Sequence, residues 1–371
     1  MISPSILKLK SGGVLMSIEQ EFKEKISKLI FLEFKSESIY KIFKMKVSEN
    51  KYLPLRAERV IDKVKNKEKF KDIPLSFFVE GMFYVLGGDR SFKYNKMYAK
   101  ILNENLEEFT GYIKGIIVDE VKNENYEDAY IMLKGLITVE RTKENFEKII
   151  ALSETIRDKK PQFKEEELAI IDEAKKIKNY ASPYLYEAFI KNEDKDYEGA
   201  WYSINTYIEY GGKVDDKISK FKHSIEDVRN YEKAKEIMYE KPKVALKMFI
   251  ELLDEFQDDA ILFYYIGMTY RILGNYEKAI YYLNEALTLD NNIVEIFNEL
   301  GVNYAALNDF DKAISYLRQA FEATKSIEIC TNLVMCYLNK GDKEQASLHY
   351  DIAKKMNPDD EIVKKLSEIF D

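Results

Sequence analysis

Turn residues are scarce. The 371-residue chain carries 15 Gly and 7 Pro, fewer than a β-rich chain of this size needs for its turns. Long helices joined by short loops are expected instead. Histidine occurs only as His223 and His349, and cysteine only as Cys330 and Cys336. That inventory gives an all-protein zinc site little support, and no metal or cofactor is expected. The two cysteines sit six apart on one predicted helix, at different angles around it, so they cannot bridge easily and no disulfide framework exists. No apolar run reaches the roughly 20 residues that span a bilayer. Basic tracts are missing too. The nearest, Arg157, Lys159 and Lys160, is followed by Glu165, Glu166 and Glu167. With 57 Lys and Arg against 65 Asp and Glu, the net charge is -8, which argues against non-specific nucleic-acid affinity and against a basic membrane-attracted surface.

Catalytic signatures are equally absent. There is no nucleophile elbow, no His-Glu-x-x-His segment and no nucleotide fingerprint. Gly87-Gly88-Asp89-Arg90 lacks the Lys-Ser or Lys-Thr ending of a phosphate loop, and no strand leads into it; it reads as a helix stop. Gly211-Gly212-Lys213 is similarly short. His223 reads as a member of a charged helix face and His349 as peripheral. Carboxylates alternate with Lys at helical spacing, the pattern of surface ion pairs. The expectation is a protein that is not an enzyme. Met1 to Val14 does not read as a signal peptide, because Lys residues interrupt its apolar run. Residues 1–16 are expected to form a flexible N-terminus, with Met16 a candidate first residue and cytoplasmic residence the default.

What the chain does have is a period. Gly267 and Gly301 lie 34 residues apart, as do Asn275 and Asp309, Tyr276 and Phe310, Ala279 and Ala313, Leu283 and Leu317, and Ala286 and Ala320. A fixed interval of this length predicts stacked helical hairpins in place of one globular core. Gly267 and Gly301 let two helices approach closely, with Ala279 and Ala313 doing the same from the partner helix. Tyr270 and Tyr304 fill the wider gap beyond. Gly274 predicts a left-handed cap, and Asn275 and Asp309 predict caps for the following helices. A third unit carries Cys330, Leu333, Val334, Tyr337, Gly341, Ala346, Tyr350, Ala353 and Pro358, with Val334 where glycine stood before. Glu361 to Phe370 reads as an amphipathic helix that covers the open end.

These residues resemble the tetratricopeptide repeat family, clearly over residues 260–360. The resemblance implies an all-α fold: an α-α superhelix, a right-handed helical-repeat solenoid, with a divergent helical N-terminal half. It implies that the first helix of each hairpin lines a concave groove. The groove candidates are Ile261, Tyr264, Met268, Arg271 and Ile272 in the first unit. The second gives Asn298 and Val302, beside Glu295, Ala305 and Ala306. The third gives Glu328, Thr331 and Met335, beside Leu338 and Asn339. Some family members clamp a chaperone tail's carboxylate with Lys and Asn. The matching positions here are Tyr264, Met268, Asn298, Glu328 and Asn332, so the positive charges are missing and Glu328 would repel the ligand.

Upstream the repeats degrade. Ala245 lies 34 residues before Ala279 and Phe249 lies 34 before Leu283, but Lys233 takes the glycine position of a helix starting near Asp215. Asp196-Tyr-Glu-Gly-Ala and Asn125-Tyr-Glu-Asp-Ala echo Asn275-Tyr-Glu-Lys-Ala. They predict second helices through Ala200, Ile204 and Tyr207 and through Ala129, Leu133 and Leu136, with Ala188 at a glycine position. Phe77, Gly81 and Tyr84 are a fainter trace. Ser17 and Gln20 form a candidate capping box before a stripe of Phe22, Ile26, Leu29 and Ile30. Pro54 and Pro74 are expected near helix starts. The domains expected are 17–212, divergent helical repeats, and 213–371, the regular array with its cap; Gly211-Gly212 is the expected flexible point.

The function implied is a scaffold or adaptor that holds another protein or peptide in the groove. Two alternatives stay open: a ligand-sensing regulatory module, and an enzyme site assembled from distant residues of the N-terminal half. A homodimer is also open. No nucleic acid and no membrane insertion are expected.

Overall fold

A computed structural model describes residues 16–58, 61 and 73–370. The segment Met1 to Val14 lies outside the described residues. Contacts divide the chain into two compact units, one ending at Asp215 and the other beginning at Asp216.

In the first unit, α1 (Ile18–Ser27) starts at the expected capping box: Ser17 accepts from the Gln20 amide at 3.3 Å, and Gln20 Oε1 accepts from the Ser17 amide at 3.0 Å. Phe22 and Ile26 are buried as the stripe requires, but the helix stops there. Ile30 opens a strand instead. Strands β1 (Ile30–Phe34) and β2 (Lys51–Leu55) flank α2 (Ser36–Phe43) and pair antiparallel, Leu32 opposite Leu53. Pro54 therefore lies in a strand, where a helix start was expected. A two-stranded ribbon tolerates it because each strand is an edge and a missing N–H leaves no central ladder broken.

Helices α3 (Leu75–Gly88), α4 (Asn95–Glu104), α5 (Leu106–Lys122) and α6 (Tyr126–Val139) follow, with Pro74 at the N-cap of α3. Gly81 packs on the ribbon, not on a partner helix: a Cβ there would overlap the Pro54 carbonyl. Gly87 and Gly88 belong to α3's last turn. The expected helix stop falls within that segment, with Asp89 as the C-cap. Gly87 is needed for contact, since a Cβ would overlap the Ile131 carbonyl, and Gly135 meets the Phe83 carbonyl in the same way. So α3 and α6 cross with their backbones nearly touching. Helices α7 (Lys143–Lys159), α8 (Lys164–Ala174), α9 (Ser182–Glu193) and α10 (Tyr197–Glu209) complete the unit. Ala188, Ala200 and Ile204 are fully buried, as their positions predicted. At the end of α10, Gly211 takes a left-handed φ of 80° and the Gly212 amide donates to the Tyr207 carbonyl at 2.9 Å.

The described residues of the second unit form nine helices: α11 (Asp216–Ile237), α12 (Pro242–Glu251), α13 (Ala260–Ile272), α14 (Tyr276–Leu289), α15 (Val294–Ala306), α16 (Phe310–Thr324), α17 (Ile327–Lys340), α18 (Lys343–Met356) and α19 (Glu361–Phe370). They pack as successive hairpins, each stacked on the next. A Cβ on Gly267 would lie 2.7 Å from Leu283 Cγ, and one on Gly301 would lie 2.5 Å from Leu317 Cγ. The helix crossing thus selects glycine at both points. The degenerate hairpin α11–α12 has no small residue at its glycine position. Lys233 is exposed, and the fully buried residue is its neighbour Ala234.

The turn between hairpin helices recurs in both units. Asn125, Asp196, Asn275, Asp309 and Asp342 each send their amide back five residues to a carbonyl at 2.9 Å. The residue before each has positive φ: Glu124, Lys195, Gly274, Asn308 and Gly341. This is the 6→1 bond of a Schellman cap. Four of the five side chains then cap the next helix. Asn125 does not; its side-chain amide donates to Glu120 Oε2 at 2.7 Å. Tyr270 stacks on Tyr282 at 5.4 Å and Tyr304 on Tyr316 at 5.6 Å, with Tyr337 and His349 in the corresponding place at 5.0 Å.

Candidate functional site

In the second unit the first helices of consecutive hairpins touch: α13 meets α15, and α15 meets α17. The second helices make weaker contact or none. The first helices carry the residues singled out from sequence. Ile261 is 39% exposed and Met335 45%. Tyr264, Arg271, Ile272, Asn298 and Val302 are half-buried, and Glu328 is exposed. Met268 and Thr331 are sunk into the helix packing at 8% and 4%. Thr331 spends its hydroxyl on the Glu328 carbonyl of its own helix at 2.8 Å.

One feature of this face was not read from the sequence. Arg271 of α13 clasps Glu299 of α15 through two bonds, Nε to Oε2 at 2.6 Å and Nη2 to Oε1 at 3.4 Å. Burial raises the Glu299 carboxyl above its ordinary range, with the Arg271 charge opposing and Glu328 adding to the rise. Tyr264 is raised by burial and then by Glu299 and Glu295. Asn303, one turn along from Glu299, is fully buried and donates to its carbonyl at 2.7 Å. The 28-residue spacing of Arg271 and Glu299 is not a repeat interval, so the period gave no signal for the pair.

Beside Ile261 a cavity of about 850 Å³ opens among Asp254, Glu255, Asp258, Asp259 and Asp290. Asp259 is used as the cap of α13, and Asp290 accepts from Asn292. Together with Glu295 and Glu328, the rest leave the face and its margin with an excess of negative charge.

The first unit holds a buried ionic cluster that sequence reasoning also missed. Arg56 reaches Glu120 at 2.7 Å, Asp128 at 2.9 Å and Glu80 at 3.1 Å. Tyr84 donates to Asp128 at 2.8 Å, and Lys25 pairs with it at 2.7 Å. Burial would raise Asp128, but hydrogen bonds from Lys25 and Tyr84 and the Arg56 charge hold it below the usual carboxylate range. These residues come from separate places in the chain. The cluster reads as a clamp that joins the end of β2 to α1, α3, α5 and α6. Glu167 contrasts with it. Its Oε2 accepts from Arg157 at 2.6 Å, its Oε1 is buried with no partner, and burial pushes its carboxyl up to about 7.

Among the described residues no group of three or more His, Cys, Asp or Glu side chains is placed to hold a metal. No described helix is long and apolar enough to cross a membrane. Both cysteines are buried and free.

Residues 258–326 and 304–368 match two family models, each described as Tetratricopeptide repeat. Among solved structures, the chain is similar to YrrB, a TPR protein with an unusual peptide-binding site, at 22% identity and a TM-score of 0.37, covering 53% of this chain and 97% of that one. It is similar to MamA at 16% identity and a TM-score of 0.36, covering 51% and 94%. A thermophilic TPR protein from Thermus thermophilus gives 18% identity and a TM-score of 0.31, covering 50% and 95%. No curated protein matches the chain.

Proposed function

Starting from a C-terminal region built of tetratricopeptide repeats, we propose that the chain is an interaction scaffold. It binds a segment of another protein, helical or extended, on the concave face of α13, α15 and α17. The mechanism is reversible docking, with no bond made or broken. The observation that carries this reading is the face itself: Ile261, Tyr264, Val302 and Met335 offer apolar surface across three consecutive first helices. Burying such side chains stabilises a complex by roughly 1.5–3 kcal/mol each when burial is complete. The carboxylates at its margin favour a segment with Lys or Arg flanking apolar anchors. Arg271 is already committed to Glu299, so a carboxylate-terminated ligand would have to compete for it. We place the protein in the cytoplasm, where two buried unpaired thiols are at home. The outer side of α19, with Ile362 and Ile369 exposed, supports a homodimer as a second assembly, which sedimentation would detect.

The test is a triple substitution, Tyr264→Ala, Val302→Ala and Met335→Ala, in a binding assay against a partner segment identified by native co-purification. At least a tenfold loss of affinity is expected, with the thermal unfolding of the array retained. Undiminished affinity in a folded triple variant overturns the assignment.

A further inference from the structure

The first unit contains a cavity whose charge is opposite to that of the chain. Its volume is about 400 Å³, and its charged lining is Arg90, Lys96, Lys134 and Arg141 against the single carboxylate of Glu173. In a chain of net charge -8, four cations gathered round one concavity repel one another unless something answers them. Glu173 answers two of them only in part. It takes Arg90 Nη2 at 2.7 Å and Arg141 Nη1 at 3.5 Å. Each guanidinium has five N–H donors, so both keep donors to spare. Lys96 makes no ion pair or hydrogen bond among the described residues and stands exposed at the rim. Lys134 is deeply set. Glu166 holds it, and its ammonium lies 5.4 Å from the centre of the Phe22 ring. Burial lowers its basicity, Glu166 restores part of that, and Arg90 lowers it further.

The rest of the lining fits the same kind of guest. Helix α4 begins at this cavity with no side chain capping its first turn, and Asn95, Lys96 and Ala99 of its first turns face the space. Backbone N–H groups at a helix start add to the positive potential. Asn95 is held in place by its Nδ2, which donates to the Asp89 carbonyl at 2.7 Å. Leu86, Ala99 and Ile137 supply apolar wall. The volume falls in the range that holds one small ligand.

We propose that this cavity is a binding site for a small anionic molecule, a carboxylate or phosphate carried on a compact carbon frame. Its anionic group lies among Lys96, Arg90 and Arg141, and its carbon frame rests against Leu86 and Ile137. The site belongs to the first unit alone and does not depend on the groove of the repeats.

Calorimetric titration of the full chain with inorganic phosphate and with succinate, at constant ionic strength set by sodium chloride, tests it. Saturable binding of at least one probe at one equivalent is expected, and which probe binds identifies the head group. Lys96→Gln removes a charge that has no partner among the described residues, so it should weaken binding several-fold with unfolding temperature unchanged. Adding Arg141→Gln should bring the loss to at least tenfold. Absence of saturable binding for both probes, or equal affinity in the variants, overturns the proposal. So does binding of a single-stranded oligonucleotide in place of both probes.

Discussion

At the scale of single residues, the repeats are written by side chains that are missing. Gly301 faces Leu317 Cγ at 2.5 Å from where its Cβ would be, with the Ala313 carbonyl at 3.2 Å. Gly301→Ala should therefore destabilise the second unit by about 1–3 kcal/mol through overpacking. Gly115→Ala is the control. Gly115 lies on an exposed helix surface with nothing within 4 Å, and the same change there should stabilise by roughly 0.5–1 kcal/mol. Urea midpoints of both variants check the pair of signs. Residues of this kind were legible because a glycine at a helix crossing answers to backbone geometry alone. The echoes at Asn125 and Asp196 were legible for the same reason, since the turn they build is local. Arg271 and Glu299 were not, because their meeting depends on how two hairpins stack.

Elements were read well where their period ran long and poorly where it was short. Ile30-Phe-Leu-Glu-Phe continues the apolar stripe of α1, and nothing in it marks the change from a 3.6-residue period to a period of two. The ribbon is settled by tertiary contacts, with Leu53 and Leu55 buried and Gly81 admitting the Pro54 carbonyl. At Lys233 the period placed the helix, but the position it marks is exposed and the buried one is Ala234. Between α7 and α8 the contact of Arg157 with Glu167 carries a pH signature. Glu167 is 1% exposed and its carboxyl is raised by burial from the ordinary 4.5 to about 7. The folded state then keeps a proton that the unfolded chain has released. Stability is expected to fall as pH rises from about 4.5 to about 7, by up to ~3 kcal/mol. Glu167→Gln should flatten that slope in denaturant titrations at about pH 5 and about pH 7.5, on either side of most of that range. A slope unchanged by the substitution would assign the pH response to other groups.

For the whole molecule, the two units divide the chain's chemistry. The second repeats one hairpin and carries partly exposed apolar side chains on its first helices. The first departs from the repeat to bury Arg56 among three carboxylates and to enclose the cationic cavity. The architecture of the second unit was legible because each hairpin meets only its neighbours, so a linear pattern maps directly onto a linear stack. The first was legible only as helices, since its clusters join residues such as Arg56 and Asp128 that lie 72 apart. The central claim is that a partner segment lies on the first-helix side of the repeats. The most direct measurement is site-specific photocrosslinking of the full chain with a benzophenone side chain at Val302, and separately at Tyr281, which is 58% exposed on a second helix. Adducts with one defined partner segment from Val302 and none from Tyr281 are the predicted result. Adducts from Tyr281 alone would contradict the account.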